Sequence, residues 1–194
     1  MEQNHSTVQP PTHDKAALRR SLLAQRRALD DASRARWDAE ISAAILRWQA
    51  EGQISELGVY WPIQGEPDLR QLWERLTQRG VRLALPLVQA PGAPLRFARW
   101  RPGMPMTPGA MKVPQPAAPE WQDTPAHLLI PCVAFNPAHF RLGYGGGFYD
   151  RTLAAAPHSK GYGVAYAFQA AQFAADAHDI AMHGIFCNAD ADTP

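Results

Sequence analysis

Leucines at positions 18, 22, 23 and 29 recur at helical spacing, with Lys15, Arg19, Arg20, Arg26 and Arg27 around them. This predicts a first helix from His13 to Leu29, capped by Thr12. Asp30-Asp31-Ala32-Ser33 breaks it and caps a second helix over 34–51. The apolar stripe of that helix is Trp37, Ile41, Ala44, Ile45 and Trp48, and Gly52 ends it. Leu57-Gly58-Val59-Tyr60-Trp61 is an apolar run of strand length, and Asp68 caps a helix to Arg79 that turns Leu69, Leu72, Trp73 and Leu76 inward. Val81–Leu85 is the next strand. Strand, helix and strand within so few residues predict a βαβ unit and a parallel pair. Further strands are expected at 95–100, 127–130, 161–166 and 182–186, with helices at 149–155 and 168–175. The class is therefore α/β.

Composition narrows this picture. A chain of 194 residues with 46% hydrophobic content suits one folded domain, here 13–188 between polar tails at 1–12 and 189–194. A net charge of +1 gives no polyanion-binding field, so nucleic acid is not an expected partner. No apolar run is long enough to span a membrane, so a membrane partner is not expected either. Cys132 and Cys187 lack metal-ligand spacing and read as two reduced thiols of a cytoplasmic protein. Most of the 18 prolines fall between 86 and 137, which predicts long ordered connections there. Trp100, Met104, Met106, Met111 and Trp121 either line a pocket for a flat ligand or pin this segment to the core.

One stretch carries candidate chemistry: Arg141-Leu142-Gly143-Tyr144-Gly145-Gly146-Gly147-Phe148-Tyr149-Asp150-Arg151. Glycines at four of five positions can turn backbone N–H groups toward an anion, and the helix that follows adds a positive end. The arginines add fixed charge, and Asp150 stands where a metal ion could sit. The stretch is neither a Walker A loop nor G-x-G-x-x-G, and the plainer alternative is a surface turn. Lys15 and Arg19 share a helix face, either solvated or docked over the glycine loop; periodicity does not choose. Glu66 lies just past a strand end, where open α/β sheets place ligand groups, but a loop glutamate there is often simply solvated.

Taken in order, Lys15-x-x-Leu18-Arg19, Tyr60-x-Pro62-x-x-x-Glu66, Pro131-x-x-Ala134-Phe135, the Arg141–Arg151 run, Gly163-Val164-Ala165-Tyr166 with Gln169, and His178-Asp179 resemble the 5-formyltetrahydrofolate cyclo-ligase family. The resemblance implies a single α/β domain with a Rossmann-like, mostly parallel sheet flanked by helices, of the CoA-transferase-like kind. It implies a monomeric enzyme that uses ATP and Mg²⁺ to convert the reduced folate 5-formyltetrahydrofolate to 5,10-methenyltetrahydrofolate. ATP would meet Lys15, Arg19, Arg141, Leu142, Gly143, Tyr144, Gly145, Gly146, Gly147, Phe148 and Tyr149. Trp61, Glu66, Tyr144 and Phe148 would border the folate, and Asp150 and Asp179 would hold Mg²⁺. The catalytic work would fall on Lys15, Glu66 and Arg141. Two other readings suit the same residues: a folate- and nucleotide-binding homologue with impaired turnover, and an ATP-dependent enzyme acting on another formamide. The chain departs from the family pattern at Asn136, where an aspartate is common, and at His139, where a glycine is. It departs again at Met111–Pro116, which lacks a glutamate, and at Cys187-Asn188.

Overall fold

The computed structural model describes residues 14–188. The expected Thr12 cap, His13 and both tails lie outside them. In chain order the elements are α1 (Lys15–Ala28), α2 (Asp31–Glu51), β1 (Glu56–Gly58), α3 (Arg70–Gln78), β2 (Arg82–Leu87), β3 (Arg96–Trp100), β4 (Met106–Pro108), β5 (Pro114–Pro116), β6 (Glu120–Gln122), β7 (His127–Pro131), β8 (Ala134–Phe135), β9 (Arg141–Leu142), α4 (Phe148–Ala155), β10 (Lys160–Val164) and β11 (Gly184–Phe186). Asp14 caps α1 by accepting from the Ala16 amide, and Asp30 caps α2 through the Ser33 amide.

Seven strands form one sheet in the order β11-β10-β7-β1-β2-β3-β6. The pairs from β11 to β2 are parallel, as the βαβ pattern predicts, and β3 and β6 add antiparallel pairs at the other edge. The chain winds outward from β1 through β2 in one direction and from β7 through β10 and β11 in the other. The crevice at the carboxyl ends of β1 and β7 is thus a topological switch point, the usual ligand position in such sheets. Alternation along β7 divides the core: Leu129 packs with α2 and α3 residues such as Ile41, Ile45 and Trp73, whereas Leu128 and Ile130 pack with Leu153 of α4. A third cluster seats Leu22 of α1 on Val133, Leu142 and Phe173.

Three sequence expectations are corrected. The proline-rich segment 86–125 is more regular than its composition suggested: β4 and β5 pair as a small hairpin, and β6 joins the sheet edge. The segment between the strand at 127–130 and the glycine loop, for which no element was expected, forms the β8–β9 hairpin. Residues 168–175 do not form a helix. Only Ala167–Gln169 make a 3₁₀ turn, because tertiary partners take the backbone elsewhere. Buried Gln169 accepts from the Tyr166 amide and donates to the Cys132 and Val133 carbonyls, and Ala170 and Ala171 pair with Phe135 in a β-bridge.

Candidate active site

The Glu66 loop follows β1 and the glycine loop follows the β8–β9 hairpin that extends from the adjacent strand β7, and α1 is laid against the glycine loop. Arg19 Nε donates to the Gly143 carbonyl at 2.8 Å, so the basic face of α1 does dock on the glycine loop. Lys15 Nζ lies 2.7 Å from Asp176 Oδ2 and 3.4 Å from Asp179 Oδ2. Burial pulls the Lys15 ammonium down, but these two carboxylates outweigh it and raise it above its ordinary range.

Gly145 and Gly147 have φ of 97° and 62°, left-handed values that would strain other residues. Gly147 leads into α4, and no side chain caps that helix, so its positive end stays available to an anion. Arg151 donates to the Gly146 carbonyl and braces the loop from below. Arg141 is buried. Its Nη1 donates to the Ile180 carbonyl at 3.0 Å, and its Nη2 lies 2.7 Å from Asp150 Oδ1 without aiming an N–H along a hydrogen-bonding line to any acceptor. The same Asp150 oxygen accepts from the Ile180 amide.

Glu66 is not a solvated loop residue: it is 2% exposed. Its Oε2 accepts from the Ile63 amide at 2.9 Å and its Oε1 from the Tyr144 hydroxyl at 2.8 Å. Burial pushes its carboxyl up to about 7, opposed by these two donors and by Arg26. Trp61 meets Trp100 edge-to-face at 6.0 Å and carries the Arg70 guanidinium over its ring. It lines a cavity of about 720 Å³ between α2 and α3, which also touches Arg34, Asp38, Asp68 and Trp100 but none of the glycine loop. Phe148 lies under Arg151, and burial holds the Tyr149 phenol in its protonated form.

Arg26 is the residue the sequence reading did not single out. It belongs not to a solvated face but to the interior, at 0% exposure. It donates to the Gln64 and Cys132 carbonyls at 3.0 and 3.3 Å and to the Tyr144 hydroxyl. A signal for this was present: Arg26 follows Leu18 and Leu22 at i+4 steps, on the buried stripe itself.

The two departures upstream of the loop are both turn chemistry. Asn136 Oδ1 accepts from the Ala138 and Phe140 amides, and its Nδ2 donates to the Phe173 carbonyl. An aspartate could make the first two bonds but not the third. His139 has φ of 60° with an exposed side chain, the conformation that a glycine adopts at no steric cost. His139→Gly should therefore raise stability by about 0.5–1 kcal/mol, read as a melting-temperature rise of roughly 1–4 °C. A fall would show that the His139 ring contributes to packing.

Among the described residues no three His, Cys, Asp or Glu side chains converge on a metal position. Mg²⁺ does not need such a cage, since it keeps waters and takes one or two carboxylates beside substrate phosphates. Asp150 and Asp179 fit that role: the Asp150 carboxylate sits on the amide of Ile180, next in sequence to Asp179, and Asp150 Oδ2 and Asp179 Oδ1 remain outside the contacts above. Among the described residues no helix is long and apolar enough to cross a membrane.

Comparison with known proteins agrees with this geometry. Two solved structures titled as 5,10-methenyltetrahydrofolate synthetases share the fold. The one from Mycoplasma pneumoniae has a TM-score of 0.75 and 26% identity, covering 89% of this chain and 98% of its own. The one from Aquifex aeolicus has a TM-score of 0.77 and 28% identity, covering 89% of each chain. A 5-formyltetrahydrofolate cyclo-ligase of Mycolicibacterium smegmatis is 35% identical over 149 residues, 72% of this chain and 74% of its own. The Escherichia coli K12 protein of that name is 30% identical over 148 residues, 74% and 81% respectively. The model of the 5-formyltetrahydrofolate cyclo-ligase family matches residues 11–187, nearly all of the described chain. This protein belongs to that family.

Proposed function

We propose that the cleft binds ATP over the glycine loop and a reduced folate against Glu66, and that it joins them in one ring-closing reaction. The γ-phosphoryl group passes to the formyl oxygen of 5-formyltetrahydrofolate and ADP leaves. N10 then attacks the activated formyl carbon, gives up its proton, and phosphate departs with the former formyl oxygen. The product is 5,10-methenyltetrahydrofolate. No covalent enzyme intermediate is needed; the protein must hold two substrates in line and neutralise phosphoryl charge.

One observation carries this proposal: the hydrogen bond from Tyr144 of the glycine loop to Glu66 puts the anion cradle and the buried carboxylate in one cleft. Lys15, Arg19 and the loop amides supply donors to the phosphates. Arg141 has unused N–H capacity at Nη2 and holds Asp150 beneath the loop. Asp150 and Asp179 would hold Mg²⁺, which supplies charge neutralisation at the phosphates when bound. Glu66 would accept from the N–H-rich edge of the pterin, and the cavity beside Trp61 gives the rest of the folate room. The proposal also includes a monomer in the cytoplasm, the first of which size-exclusion chromatography checks.

Mixing the protein with 5-formyltetrahydrofolate, ATP and Mg²⁺ should produce the methenyl absorbance and ADP in equal amounts. Product without ADP, or ADP release with other formamides but not with this folate, would overturn it.

A further inference from the structure

Tyr144 occupies the position that the Arg-Leu-Gly-x-Gly pattern leaves open, yet in this chain it makes the contact joining the two loops. Its hydroxyl stands between two buried charged groups: it receives an N–H from Arg26 Nη2 and donates to Glu66 Oε1. The Arg26 guanidinium also lies 5.8 Å from the centre of the Tyr144 ring. Arg26 cannot swing away, because its other nitrogens hold the Gln64 and Cys132 carbonyls. Gln64 is two residues before Glu66, so the same guanidinium fixes the loop that carries the carboxylate.

We propose that Arg26 and Tyr144 form a relay of positioning residues, in which the buried guanidinium polarises the phenol and the phenol aims Glu66 and keeps it charged.

A phenol that accepts from a cation is a stronger donor to an anion. It is also a constant one, because burial, with Glu66 next, raises its own ionisation well out of the working range. The other titratable groups facing Glu66 are Tyr60 beyond β1, Tyr149 on α4 and Cys132 beyond β7. All three are held neutral, burial being the main cause for each. Arg26 is the cation that acts on the Glu66 carboxylate, while Arg34 is engaged by the Gly65 and Arg26 carbonyls beside it. Glu66 titrates at about 7 with both donors in place, so loss of the Tyr144 bond, which favours the charged form, moves its midpoint upward.

The proposal rests on the folate role of Glu66 only for its kinetic part. Tyr144→Phe keeps the half-exposed ring and removes the hydroxyl. In protein labelled with ¹³C at glutamate carboxyls, with the Glu66 signal identified by its loss in Glu66→Gln, the variant's midpoint should rise by roughly one pH unit. kcat/KM for 5-formyltetrahydrofolate should then fall roughly fivefold at pH 7 and approach the wild-type value by pH 9, while KM for ATP moves less than about twofold. An unmoved Glu66 midpoint overturns the relay. A moved midpoint with an unchanged folate pH profile leaves the relay standing and removes Glu66 from the folate site.

Discussion

Replacing Lys15 with alanine should lower kcat/KM for ATP by about a hundredfold or more while leaving the fold intact. The magnitude is that of deleting one preorganised donor from a charge-stabilising site. Lys15 is well placed for this role because its helix is fixed to the glycine loop by the Arg19–Gly143 bond, one turn away. Its own ammonium is held by Asp176 and Asp179 beside a proposed metal ligand. Those ion pairs reach solvent, so their loss costs stability less than about 1 kcal/mol. Initial rates with ATP varied, alongside far-ultraviolet circular dichroism, separate the two effects. A rate within threefold of wild type would remove α1 from the phosphate site.

Arg26→Met should lower stability by about 3 kcal/mol, more than any substitution of an exposed helix arginine. Methionine fills much of the space but leaves the Gln64 carbonyl and the Tyr144 hydroxyl without the Arg26 donor, and the Cys132 carbonyl with Gln169 alone. For a chain of this size the melting temperature should drop by roughly 6–12 °C. The loss should deepen between pH 5 and pH 8. Without its positive neighbour Glu66 titrates higher in the folded state, and the cost of ionising it grows as pH rises past about 7. Arg27→Met, at the exposed neighbouring position, should change stability by no more than about 0.5 kcal/mol. Equal effects at the two positions would show that burial of Arg26 is not what stabilises this region.

The parallel half of the sheet was legible in the sequence because it depends on local patterns: Leu57–Val59 and Val81–Leu85 are apolar runs, and the helix between them has a strict inward face. The docking of α1 was only half legible: the shared face of Lys15 and Arg19 read equally as solvated, and the bond that decides it joins Arg19 to Gly143 across 124 positions. The expected helix at 168–175 failed because Gln169 hydrogen-bonds to carbonyls more than 35 positions away, and no local window contains that competition. The Tyr144–Glu66 contact spans 78 positions and was invisible for the same reason. Arg26 is the instructive case between these, since its place on the leucine stripe was visible, but a charged residue there reads as a frayed edge of the stripe until its three distant acceptors are known.

The tie between α1 and the rest of the site also bears on how the protein is made. Arg19 meets Gly143 across 124 positions of chain, and Lys15 meets Asp176 across 161. The α1 helix therefore meets the partner of Lys15 only once the 161 positions to Asp176 have been synthesised. Leu22 waits for Val133, Leu142 and Phe173, and Arg26 for Gln64, Cys132 and Tyr144, and contacts so distant in sequence form late and slowly. A nascent chain ending before Val133 can build the β1–α3–β2 unit but offers no seat for Leu22 of α1, so α1 docks after that unit can form.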